Sequence, residues 1–171
     1  TKINIGIFGD SNLDLLKNKF LDISKREITG VTINTHTSKY GQIYSDLASG
    51  QLKKLNLDFS FLPNRIEDIY QVSSIDFIDF SNQEPFKRYL DFIKELSLIN
   101  TRKIFVNEFF LAGELVNGSL YLDDISGALQ FIMSLNSIMH DELSEYNNVS
   151  IAATEVLTNG LIELNNDFSI P

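Results

Sequence analysis

Cysteine and tryptophan are absent from this chain, histidine and methionine occur twice each, and proline only three times. Without cysteine there is no disulfide and no thiolate metal site. With only His36 and His140, a histidine-rich metal cluster is excluded as well. Positive charge is scarce: fourteen Lys and Arg against twenty-three Asp and Glu leave −9 at pH 7. Such a balance argues against nucleic acid and anionic lipid as partners. No apolar run approaches the roughly 18 residues that a membrane span needs, and no basic-then-apolar leader opens the chain. These absences lead us to expect a cytoplasmic protein that does not meet the membrane. Gly6-x-x-Gly9 has neither the spacing nor the third glycine of a dinucleotide fingerprint, and no phosphate-cradling lysine loop occurs, so no cofactor is expected.

What is present suits a globular domain. At 171 residues and 43% hydrophobic, one domain can bury roughly two-thirds of its unfolded surface without staples. The start at Thr1 and the end at Ile170-Pro171 read as those of a domain excised from a longer protein.

The organising stretch is Ile3 to Leu16. Ile3, Ile5, Ile7 and Phe8 predict a strand buried on both faces. Gly9 breaks it, and from Ser11 onward Leu13, Leu16, Phe20 and Ile23 follow a helical period, giving a helix over about 12–26. Asp10 and Ser11 therefore sit at the strand's carboxyl end, where open α/β sheets bind ligands. A plainer reading competes: Ser11 and Asp14 as a capping pair at the start of the helix.

The remainder alternates. Ile28–Thr35 reads as a second strand, followed by a polar loop over 35–42 that holds His36, Tyr40 and Gly41. Ile43–Leu55 reads as a helix weakened at Gly50, and Leu57–Leu62 as a third strand ended by Pro63. Residues 64–82 read as a loop with one helical turn. Pro85 opens a helix to about Leu98 with Phe86, Leu90, Ile93 and Leu96 or Leu98 inward. Lys103–Phe109 is the fourth strand and Leu111–Leu122 a loop. A helix over Asp123–Glu145 follows, with Ile125, Leu129, Ile132, Met139 and Leu143 on its buried face. Val149–Val156 is the fifth strand, and the last fifteen residues are a polar tail. This alternation predicts a three-layer α/β/α sandwich around a five-stranded parallel sheet, in the flavodoxin-like order 2-1-3-4-5. The loops after Phe8 and Leu62 then border one crevice.

That crevice collects Asp10, Ser11 and Asn12 from the first loop, and Asn64 and Arg65 from the third. His36, Tyr40 and Gly41 come from the second, and Asn107 and Glu108 end the fourth strand. Gly9-Asp10-Ser11 resembles the first block of the SGNH (GDSL) hydrolases, and Gly41 and Asn64 follow in the family's order and kind of loop. The resemblance implies Ser11 as nucleophile beside Asp10. The Ser11 and Gly41 amides and the Asn64 side chain would form an oxyanion hole. Asn12, Tyr40, Arg65 and Glu108 would contact substrate.

A narrower similarity lies in Lys39-Tyr40-Gly41-Gln42-Ile43-Tyr44 and Leu57-Asp58-Phe59-Ser60-Phe61-Leu62. It resembles the amino-terminal SGNH-like domain of FkbH-like proteins. There the domain precedes a haloacid-dehalogenase-like domain that helps load glyceryl units onto a carrier protein. This resemblance implies an acyl carrier protein, or the adjacent dehalogenase-like domain, as partner.

The departure is equally plain. SGNH hydrolases carry Asp-x-x-His after the last strand, whereas this chain has Asp167-Phe-Ser-Ile170 and no histidine beyond His140. A serine without a base is a poor nucleophile. Three explanations stay open: the dyad lies beyond Pro171 in a longer protein, a substitute base exists, or the chemistry is lost. His36, at the rim, is the substitute to consider, while His140 reads as a boundary residue of helix packing, far from the crevice. Arg65 can equally pair with Glu67 or Asp68 on the surface. Three readings follow: an ester or thioester acyl hydrolase or acyltransferase, a non-catalytic interaction module, and a small-molecule receiver with Asp10 and Asp14 at its rim. An acidic metal site from Asp10, Asp58 or Asp123 is left open, their placement giving no ligand spacing.

Overall fold

The computed structural model describes residues 1–9, 13–39, 41–100, 102–110 and 122–152, with side chains in the last stretch from residue 127. The strands are β1 (Lys2–Ile7), β2 (Thr32–Thr37), β3 (Phe59–Leu62), β4 (Lys103–Asn107) and β5 (Val149–Ala152). All pair in parallel, in the order β2-β1-β3-β4-β5. This is a flavodoxin-like α/β fold. The helices are α1 (Asp14–Glu27), α2 (Ile43–Ala48), α3 (Gln51–Lys54), α4 (Ile66–Tyr70), α5 (Glu84–Ile99) and α6 (Leu122–Leu143), with a 3-10 turn at Ile75–Phe77.

The two faces of the sheet are unequal. One meets Ile43 and Leu52, Ile66 and Ile69, the α5 row Phe86, Leu90, Ile93 and Leu96, and the α6 row Ala128, Ile132, Leu135 and Met139. Leu62, Ile104 and Val106 are wholly buried on this side. On the other, Ile5, Ile7 and Leu13 form a small cluster with Phe20, Ile33, Phe59 and Phe61 packed against it. Only α1, among the described residues, contributes to that second cluster.

Several boundaries differ from the sequence-based expectation. Strand β2 begins at Thr32, not Ile28, because Gly30 turns the chain at φ 75°. His36 therefore lies inside β2, opposite Gly6, rather than in a loop. The expected single helix over 43–55 is two, split where Gly50 adopts φ 71°, a conformation that suits glycine. Residues 64–82 hold α4 as well as the short turn. Leu129 is exposed; Ala128 and Leu135 take its place in the buried row of α6. Leu98 is exposed while Leu96 is buried. Of the expected loop over 111–122, Leu122 already opens α6 and residues 111–121 lie outside the described residues, as do the side chain of Ile125 and everything from residue 153 on.

The amino ends of the strands are tied by Asp58. Its carboxylate accepts the Asn4 N–H at 2.9 Å, and its carbonyl accepts from Arg102 N–H and from the Asn100 carboxamide. Arg102 also pairs with the carboxylate at 3.4 Å. Asp58 is thus a brace at the amino end of the sheet, opposite the carboxyl ends of β1 and β3. Beside it, Ser60 is fully buried and donates to Asn100 Oδ1 at 2.6 Å, while Asn100 Nδ2 also reaches the Lys103 carbonyl. Asn100→Ala strands these buried groups, at a cost of about 1–3 kcal/mol. We expect a thermal midpoint lower by several degrees in circular dichroism, and an unchanged midpoint would contradict the bracing role.

Candidate functional site

Phe8 carries β1 one step past its last paired residue, donating its N–H to the Phe61 carbonyl at 2.9 Å. Gly9 follows. A Cβ there would lie 2.6 Å from Asn64 Oδ1, so the absence of a side chain at position 9 is what lets the third loop close on the first. Asn64 fills the gap and is 3% exposed. Its Nδ2 donates to the Phe8 carbonyl and to the Tyr89 hydroxyl, both at 3.4 Å. Its own carbonyl accepts from Asn107 Nδ2 at 3.0 Å. The carboxyl ends of β1, β3 and β4 are therefore linked through two asparagines.

Tyr89 was not anticipated as part of this cluster. It lies in the buried row of α5, and burial pushes its phenol well above the usual tyrosine range, opposed by the bond to Asn64. A tyrosine inside an apolar stripe must find a partner for its hydroxyl, and that is the signal in the sequence that points to it.

Asp10, Ser11, Asn12 and Tyr40 lie outside the described residues. Helix α1 begins at Asp14 with Leu13 at its N-cap position and no side-chain cap on that residue. Gly41 adopts φ 70° in the exposed turn before α2. Its loop follows β2, which lies on the far side of β1 from β3.

Arg65 and Glu108 are both engaged with protein partners. Arg65 Nε and Nη2 reach the two carboxylate oxygens of Asp68 at 3.3 and 3.1 Å. Asp68 also accepts the Arg65 backbone N–H. This pairing holds the Arg65 guanidinium above its usual range. Glu108 Oε1 lies 2.6 Å from His140 Nε2. His140 is thus not remote from the rim, as its place late in α6 suggested: the chain after β4 runs along α6, where Asn136 both donates to and accepts from the backbone of Phe109 at 2.9 Å.

His36 borders a cavity of about 360 Å³ with Phe8, Lys17, Ser38, Asp46 and Leu52. Burial first, then Lys17 and Lys2, lower its pKa below 6.5. Among the described residues no group of three acidic or histidine side chains is placed to hold a metal ion. No helix among them is long and apolar enough to cross a membrane.

No family model matches the sequence, and no curated protein matches it. Among solved structures, one fold neighbour is the N-terminal part of the protein BF1531 from Bacteroides fragilis, containing a phosphatase domain and complexed with Mg. The TM-score is 0.68 at 14% identity, covering 92% of this chain and 42% of that one. The likeness is one of fold. This chain spans less than half the length of that neighbour.

A depressed His36 pKa has a definite sign. The unfolded chain takes up the proton first, so stability contributed by neutral His36 is present above 6.5 and lost as pH falls below it. In an NMR titration the His36 midpoint should fall below 6.5, and Lys17→Ala should move it upward. A midpoint at or above 6.5 would refute the buried, lysine-flanked placement.

Proposed function

We propose that this chain is an SGNH-like domain of a longer FkbH-like protein, in which the crevice between β1 and β3 receives an acyl ester or thioester. The observation that carries this reading is the seating of the Asn64 carboxamide against Gly9, one residue before Asp10 and Ser11. An oxyanion donor must stand beside the loop that bears the nucleophile; Asn64 is so placed but turns its acceptor Oδ1 toward Gly9, so the carboxamide must turn to present an N–H there. Its Nδ2 donates to the Phe8 carbonyl and to the Tyr89 hydroxyl, both at 3.4 Å, long bonds that such a turn gives up at modest cost. The fold neighbour, an N-terminal part containing a phosphatase domain, supports the α/β fold of this reading and not its chemistry.

In this reading Ser11 Oγ adds to the acyl carbonyl carbon. The carbonyl π electrons move to oxygen, facing the Ser11 and Gly41 amides and Asn64, and the serine proton passes to a base. When the adduct collapses, the C–O or C–S bond breaks and the alcohol or thiol leaves with that proton, the acyl group staying on Ser11. His36 is the imidazole closest in topology, one strand from β1. Burial and two lysines lower its pKa, which favours the neutral form that a base requires. Asp10 flanks the nucleophile, and Asn12, Tyr40 and Glu108 line the approach. The adjacent dehalogenase-like domain or an acyl carrier protein would deliver the acyl group.

A fluorophosphonate probe tests this on the full chain. We expect an adduct on Ser11 that Ser11→Ala abolishes and that Asn64→Ala slows by about 10²–10³-fold, the usual cost of one oxyanion donor. A folded chain that never labels would overturn acyl transfer. That outcome would favour a non-catalytic module binding the same partners, a reading supported by the missing Asp-x-x-His and by the engagement of Arg65 with Asp68.

A further inference from the structure

A separate cavity of about 210 Å³ lies where α2, the end of α4 and the first turn of α5 meet. Tyr44, Tyr70, Gln71, Asn82, Glu84 and Arg88 bring polar groups to its wall. None of these belongs to the crevice. Ile43 of α2, Ile69 of α4 and Phe86 of α5 are buried in the main core, so the three helices that frame the cavity are held by packing.

Two of the polar groups have bonding capacity left open. The Tyr70 hydroxyl is buried and has no hydrogen-bond partner. Its ring packs edge-on against Phe131, with centroids 6.0 Å apart and planes at 69°. Burial first, then Asp79, pushes the phenol up to about 12, so the hydroxyl keeps its proton and stays a donor. Arg88 is exposed, and among the described residues it has no ion-pair or hydrogen-bond partner. An unpaired guanidinium stands out on a chain of net charge −9. Glu84, one helical turn before it, is the partner that spacing offers, yet Glu84 pairs with Lys87 at 3.4 Å. Asp79, whose charge acts on Tyr70, accepts from the Ser81 N–H and hydroxyl at 3.0 and 2.6 Å. Asn82 commits its Oδ1 to the Glu84 N–H at 3.1 Å, which leaves its amide group as a further donor. The nearby acids are engaged, and the donors are not.

We propose that this cavity binds a small carboxylate, held by the planar fork of Arg88 and the hydroxyl of Tyr70. A guanidinium matches a carboxylate in two parallel bonds, and the buried hydroxyl gains the partner it lacks. The carbon skeleton of the ligand would meet Ile69 and Pro85, the apolar part of the lining. One guanidinium balances one negative charge, whereas a doubly charged phosphate would face Glu84 across the same small space. The first turn of the 16-residue α5 borders the cavity as well, and the positive end of its dipole adds to the attraction. This inference is independent of the acyl-transfer reading, since none of its residues is assigned a part there.

The test is an amide-resolved NMR titration of the full chain with acetate, succinate and glutamate, set against inorganic phosphate and against chloride at matched ionic strength. We expect saturable shifts in the amides around Tyr70 and Arg88 with at least one carboxylate. Tyr70→Phe removes a hydroxyl that bonds nothing in the protein. Its thermal midpoint should therefore hold while affinity falls roughly tenfold, the usual loss of one hydrogen bond to a charged group. Arg88→Gln should abolish binding. Arg88→Lys, which keeps the charge and loses the fork, should weaken it several-fold, and Glu84→Gln should tighten it. No saturable shift near the cavity with any of the three carboxylates would overturn the proposal, as would shifts that chloride reproduces. Phosphate bound more tightly than every carboxylate, or affinity unchanged in Tyr70→Phe, would overturn it too. Should Tyr70→Phe fail to fold, the exposed Arg88 decides: binding that survives Arg88→Gln would sink the assignment.

Discussion

Burial of one sheet face against α5 and α6 is the constraint from which the rest of the molecule follows. Leu62, Ile104 and Val106 are sealed there by Phe86, Ile93, Leu96, Ile132, Leu135 and Met139. Fully burying each such side chain stabilises by about 1.5–3 kcal/mol, so this face fixes the register of β3 and β4. Once it is fixed, the alternation of a strand leaves no choice for the other face. Phe59, Phe61 and Phe105 must point the opposite way, and their stacking follows from the parallel pairing of Phe59 with Lys103 and Phe61 with Phe105. The crevice is a consequence of the same register. It places Pro63 and Asn64 directly beyond the end of β3, beside the turn that leaves β1.

The two ends of the sheet then diverge in character. At the amino end, Asp58, Ser60 and Asn100 bond one another and the backbone of three strands. At the carboxyl end, polar side chains are gathered but loosely held. Asn64 makes two bonds at the outer limit of length, and Tyr89 is kept a neutral phenol by its burial. The first end is built for rigidity. The second is built to hold groups in position while leaving their bonding capacity in part unspent.

Much of this was legible in the sequence, and the exceptions have physical causes. Strand and helix alternate so regularly that the order of the sheet follows from handedness and short connections alone. The β-branched run from Ile28 misled because Gly30, at positive φ, delays the strand by a few residues; His36 is consequently a strand residue facing a cavity. The loops bearing Gly9 and Asn64 were placed correctly by topology, but their contact depends on a missing Cβ, which spacing alone does not reveal. Tyr89 and Asn107 join the cluster through tertiary contacts of long range. The pairing of Glu108 with His140 arises because the chain after β4 is held along α6 by Asn136, a side chain whose role no local pattern announces.

The distribution of unmet bonds gives the crevice its strongest physical argument. Three buried side-chain atoms among the described residues have no hydrogen-bond partner: Ser38 Oγ, Tyr70 Oη and Asn107 Oδ1. Ser38 directly follows β2 and Asn107 ends β4, so two of the three stand at the carboxyl edge of the sheet. Leaving such a group unsatisfied costs about 1–3 kcal/mol, a sum that selection for stability alone would remove by placing an apolar residue there. The Asp58 brace at the other edge, by contrast, has its side chains bonded, so the two edges differ in how much bonding capacity they leave open. A polar ligand atom that reached Ser38 Oγ or Asn107 Oδ1 would gain a bond there without first having to break a protein contact.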